Sequence, residues 1–168
     1  MINFIEKKDL SEAYIQLAKT CKKKNLNLAV LFYVRKVLAL SPHNTEALIL
    51  QSRALYDEKH YSQALTSVKT SLEIIEKTAK EEDQEIIAEF LSYELRCRIY
   101  TKNFDDPEKQ IQSILGRLRK MKGLKPETQD AINKLETDAL GYLKTKGQVT
   151  ILSTILMTDE VYKLRGLT

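Results

Sequence analysis

The sequence predicts an all-α protein, and three observations carry that expectation. Glycine occurs 5 times and proline 3 times in 168 residues, too few to punctuate many short strands, so long helices are favoured. Apolar residues recur at helical spacing in stretches that stop at a breaker, as AVLFYVRKVLAL (29–40) does before Ser41-Pro42-His43-Asn44. The chain also repeats itself: residues 11–44 lie over residues 45–78 without a gap.

Within that alignment Tyr14 falls over Leu48, Ala18 over Ser52, Cys21 over Leu55, Val30 over Ala64, Val34 over Val68, Leu38 over Leu72 and Leu40 over Ile74. Small residues meet small and large meet large, as two copies of one helix hairpin require. Leu17 over Gln51 is the exception. Pro42 cannot continue the helix that ends near Leu40, and Asn44 or Thr45 is placed to cap the next one.

This spacing of large, small and large residues, with proline closing the second helix, resembles the tetratricopeptide repeat, whose period is about 34 residues. The resemblance implies an α-solenoid: a right-handed superhelix of antiparallel helix pairs, interlocked through small residues, here Ala18, Ser52 and Ala64.

A third, degraded copy follows the acidic segment AKEEDQEIIAE (79–89) and spans Phe90 to Gly123. Tyr93, Cys97 and Tyr100 fill its large, small and large positions, while Arg96 and Lys109 depart from the pattern. Pro107 suits the first turn of its second helix, Ile111, Ile114, Leu115 and Leu118 give that helix an apolar face, and Gly123 suits a left-handed stop. Pro126 opens a further amphipathic stretch, with Ile132, Leu135, Ala139 and Leu143 on one side, read as a capping helix over 126–146 that ends at Gly147.

The domain organisation expected is therefore one repeat domain over 1–147, with repeats at 11–44, 45–78 and 90–123. Residues 148–168 form a C-terminal segment, expected to be helical and packed on the array. Ile151, Leu152, Ile155 and Leu156 recur helically there, although the β-branched residues also suit a strand. Packing of Val149 to Leu156 on a neighbouring copy would give a weak homodimer; packing within the chain gives a monomer.

Composition bounds the function classes. The N-terminal MINFIEKKDLSEAY lacks the basic-then-apolar order of a secretory signal, and the apolar runs are short for a membrane span, so a cytoplasmic or nuclear location away from membranes is expected. Cys21 and Cys97 fall in apolar helical patterns and are read as small buried hydrophobes in a reducing compartment. The net charge of +4 is too mild to demand nucleic acid.

Enzyme templates fail. His43 and His60 stand in turns without zinc-ligand spacing, the glycines form no phosphate loop, and the paired acids Asp105-Asp106 and Glu81-Glu82-Asp83 sit where they serve helix starts. The expectation is a protein without catalysis, metal or cofactor.

By resemblance, the first helices of successive repeats line a concave groove. Numbered from Ser11, Thr45 and Phe90, the groove positions are Ile15, Ile49 and Glu94, then Lys19, Arg53 and Arg98, then Lys22, Tyr56 and Thr101. A basic rung flanked by Ile15, Ile49 and Tyr56 would attract an acidic protein segment with apolar anchors. The carboxylate clamp by which some family members hold heat-shock chaperone tails has its positions here at Ile15, Lys19, Leu50, Leu91 and Leu95, and aliphatic side chains cannot serve it. The resemblance thus implies an adaptor of co-chaperone or complex-assembly type without that clamp. The rival reading is a nucleic-acid-binding repeat protein using RLRKMKGLK (117–125) and Lys22 to Lys24, against which stands the lack of interleaved aromatics.

Overall fold

A computed structural model describes residues 4–78 and 83–164, with side chains for 6–78 and 83–146. It is all-helical: α1 (Phe4–Lys23), α2 (Asn27–Leu40), α3 (Thr45–Asp57), α4 (Tyr61–Thr78), α5 (Gln84–Thr101), α6 (Pro107–Lys120) and α7 (Pro126–Leu164), with no strand among the described residues. Each helix packs on the next in chain order, and α1 also meets α3 as α5 meets α7. No helix among the described residues is long and apolar enough to cross a membrane.

The helix boundaries follow the local chemistry. α2 ends at Leu40, ahead of Pro42, and the Asn44 side chain accepts from the Ala47 backbone N–H at 2.9 Å to start α3. Pro107 is the first residue of α6, whose start is capped by Asp106 accepting from the Lys109 N–H at 3.1 Å. Gly123 has the expected positive φ of 72°, but α6 has already closed at Lys120, with Met121 extended.

Two apolar clusters form the core. One gathers Ile15, Val30, Val34, Leu50, Ala54 and Leu65 from α1 to α4; the other joins Val68 and Leu72 of α4 to Phe90, Leu91, Ile111 and Leu135 of α5 to α7. The small residues expected at the crossings, Ala18, Ser52 and Ala64, are all 0 % exposed. Ser52 is tolerated there because its hydroxyl bonds the Leu48 carbonyl at 2.9 Å, Ser67 at 2.9 Å and Ser71 at 3.2 Å. Gln51, the residue that broke the repeat pattern, accepts from the Ser67 hydroxyl at 3.0 Å and belongs to the same network.

Two expectations need correction. Residues 84–89, read as part of an acidic insert, are the first turns of α5: Ile87 and Ala88 are buried and extend its apolar contacts by nearly two turns. α7 does not stop at Gly147 but runs on to Leu164, since an isolated glycine costs a helix only about 1 kcal/mol relative to alanine and stops it only where the next turn closes left-handed. How 148–168 packs concerns side chains outside the described residues.

Candidate functional site

The odd-numbered helices are tied together by side chains, and the way each ends sets their register. α1, α3 and α5 close in the same left-handed turn, with Asn25, Lys59 and Lys102 at φ 56°, 61° and 53°. In each, the following N–H reaches back five residues: Leu26 to the Cys21 carbonyl at 3.0 Å, His60 to Leu55 at 2.9 Å, Asn103 to Arg98 at 3.1 Å. This double closure is the Schellman arrangement, so the three turns are equivalent points of three hairpins.

Counting back from those points changes the third rung. Lys19 stands six residues before Asn25 and Arg53 six before Lys59; six before Lys102 stands Arg96, not Arg98. Glu94, Arg98 and Thr101 are correspondingly two places out of step with Ile49, Arg53 and Tyr56, whose counterparts are Ser92, Arg96 and Ile99. Arg98 and Glu94 are instead a local pair one helical turn apart, at 2.9 and 3.0 Å, with side chains 12 % and 11 % exposed. The second helix shifts the other way, because the loop before Pro107 is longer than the one before Tyr61; Ile111, Ile114 and Leu118 take the buried positions of Leu65, Val68 and Leu72.

Of the expected basic ladder, Lys19 and Arg53 hold equivalent places on α1 and α3, and both are engaged within the chain. Lys19 of α1 pairs with Glu46 of α3, Lys22 with Asp57, and Arg53 of α3 with Glu89 of α5. Nε and Nη2 of Arg53 donate to the two Glu89 oxygens at 2.8 and 2.6 Å, and that bond holds the guanidinium pKa above its usual value. Glu46 and Glu89 are themselves equivalent, each thirteen residues before its hairpin turn. Ile15 is only 4 % exposed and belongs to the core, and Ile49 packs against the other cluster.

Tyr56 is where α3 and α5 come closest as rings. It stacks on Tyr93 at 4.2 Å and meets Tyr61 edge-on at 5.8 Å, and Tyr61 stacks on Tyr100 at 4.4 Å. Burial pushes the Tyr93 phenol well above its ordinary pKa, with neighbouring Glu89 adding to the effect. Burial also raises Tyr56, opposed by the nearby Arg96 guanidinium.

Beside this stack lies a groove of about 620 Å³. Arg53 and Tyr56 of α3 form one wall, Ile86, Ser92, Tyr93 and Arg96 of α5 the floor, and Thr128 and Ala131 of α7 the other wall. Its far end is fastened by Glu85, which accepts from the Thr128 hydroxyl at 2.6 Å and from the Lys125 N–H, contacts that lower its pKa. The chemistry offered is that of recognition: stacked phenols, a fork-shaped cation and two hydroxyls in an open channel. Among the described residues no group of three metal-ligating side chains is gathered.

Of the residues singled out from sequence, Arg53 and Tyr56 line this groove, while Ile15, Lys19, Lys22, Ile49, Glu94 and Arg98 do not. Sequence reasoning missed Tyr93, Arg96 and Thr128. The available signal was the Glu94–Arg98 spacing, which marks a same-helix pair and removes Arg98 from the ladder. In the basic stretch 117–125, Arg117 pairs with Glu76 and Arg119 with Glu136, tying α6 to α4 and α7. No protein-family model, curated protein or solved structure matches the chain.

Proposed function

We propose that this chain is a protein-binding scaffold built from three tetratricopeptide-like helix hairpins and a capping helix, and that it holds a segment of a partner protein in the groove between α3, α5 and α7. The solenoid reading draws support from the hairpin order of the packing, from the three equivalent left-handed turns, and from the Lys19–Glu46 and Arg53–Glu89 pairs, which repeat one contact between successive odd helices. The observation that carries the function is the groove itself: an open channel floored by α5, with aromatic and charged side chains on rigid helices. An adaptor role in complex assembly, without catalysis, is the reading these features favour.

A photo-crosslinking amino acid placed at Ser92, inside the groove, or at Thr66, exposed on α4, tests this in the native cell. Discrete protein adducts from position 92 and none from position 66 support the groove. Equal labelling from both positions, or adducts from 66 alone, overturns it.

A further inference from the structure

We propose that Arg96 is the receptor for an aspartate or glutamate side chain of the bound segment. This rests on the groove reading above and specifies what the groove recognises. At the two preceding interfaces the cation six residues ahead of the left-handed turn takes a glutamate from the next odd helix: Lys19 takes Glu46, and Arg53 takes Glu89. Arg96 is the third cation of that series, and the next odd helix is α7. There α7 lines the groove with Glu127, Thr128 and Ala131, and among the described residues no carboxylate lies within ion-pair distance of Arg96.

The acids nearby do not fill the role. Glu89 is held by Arg53 at 2.6 Å, and Glu85 is held by Thr128 and the Lys125 N–H. Glu127 lines the rim and is exposed. Arg96 is half-buried beside Tyr56, and no carboxylate among the described residues is paired with its guanidinium, which carries five N–H donors. A fork-shaped cation in that state is matched by a carboxylate, which accepts two parallel hydrogen bonds.

The groove's overall charge selects the kind of occupant. Arg53, Arg96 and Lys125 are balanced by Glu85, Glu89 and Glu127. A polyanion such as a nucleic acid would meet as many repelling as attracting charges, whereas a single acidic side chain flanked by apolar residues places its charge at Arg96 and its neighbours on Tyr56, Tyr93 and Ile86.

Fluorescence anisotropy with the full chain tests the assignment. The probes are two labelled nonapeptide pools with apolar residues at alternate positions, identical except for Glu or Gln at the centre. The Glu pool should bind about ten-fold more tightly than the Gln pool, as expected for a charge-assisted bidentate contact. Arg96→Gln should abolish that preference, so that the two pools bind with equal affinity. Arg96→Lys, which keeps the charge without the fork, should retain part of the preference and serves if Arg96→Gln lowers the melting temperature. Glu127→Gln should strengthen Glu-pool binding by removing a competing carboxylate. A preference that survives Arg96→Gln, or equal binding of both pools to the native chain, overturns the role of Arg96 but leaves the groove standing. Failure of both pools to bind removes the groove reading as well.

Discussion

Arg53 of α3 and Glu89 of α5 meet in a two-pronged ion pair, two nitrogens on two oxygens, between side chains 33 % and 29 % exposed. The pair joins two helices at the edge of the groove through residues 36 apart in sequence. Its exposure lets water and salt screen it, so a double-mutant cycle of Arg53→Met and Glu89→Gln should give a coupling energy of about 1 kcal/mol. A coupling under ~0.3 kcal/mol in urea melts would show that the pair does not hold α3 to α5.

The seam between α3 and α4 is set by small residues. Ser52→Ala should cost roughly 1 kcal/mol, because Ser67 keeps Gln51 and Ser71 keeps the Ser67 carbonyl when the Ser52 hydroxyl is removed. Ala64→Leu, at a position with 0 % exposure, should cost about 1–3 kcal/mol or more, because the added volume has no space to enter. Equal melting temperatures for the native chain and Ala64→Leu would contradict the close approach of the two helices.

Lys59 and Lys102 hold left-handed backbone angles without being glycine. Lys59→Gly and Lys102→Gly should each raise stability by about 0.5–1 kcal/mol, since glycine adopts that conformation without the Cβ penalty. Asn25→Gly should gain less, because asparagine tolerates the region better. Destabilisation by either lysine variant, read from chemical denaturation, would mean that the side chain contributes more than the turn geometry indicates.

Cys97 is fully buried, and burial pushes its thiol from 9.0 up to about 12. The folded chain therefore holds this proton where the unfolded chain releases it. Stability contributed by the protonated thiol is intact below pH 9 and declines as pH rises toward 12, at up to about 1.4 kcal/mol per pH unit. Melts between pH 8 and 11 should fall more steeply for the native chain than for Cys97→Ala. Parallel profiles would place the alkaline sensitivity elsewhere.

The first two hairpins were legible in the sequence because their pattern repeats without a gap, Gln51 alone being out of keeping, and their boundaries carry strong local signals, such as Pro42 and the Asn44 cap. The third hairpin was legible only as an element. α5 buries Ile87, Ala88, Phe90, Leu91, Leu95 and Cys97 on several sides at once, so its apolar residues mark no single face from which to read a phase. Its left-handed turn carries a lysine where glycine would have signalled it. Glu89, which supplies the partner of Arg53, lay in a stretch whose acidic character suggested a solvated connector. The groove was thus half-visible: Arg53 and Tyr56 came from the regular part of the repeat, while Tyr93 and Arg96 required the turn geometry.

On the proposed function, a partner segment lies on the face shared by α3, α5 and α7. Amide NMR of the isotopically labelled full chain, titrated with the tightest peptide of the Glu-centred pool, tests it most directly. Shifts should concentrate on Arg53 to Tyr56, Ile86 to Arg96 and Thr128 to Ala131. Shifts concentrated on α2, α4 and α6 would contradict it.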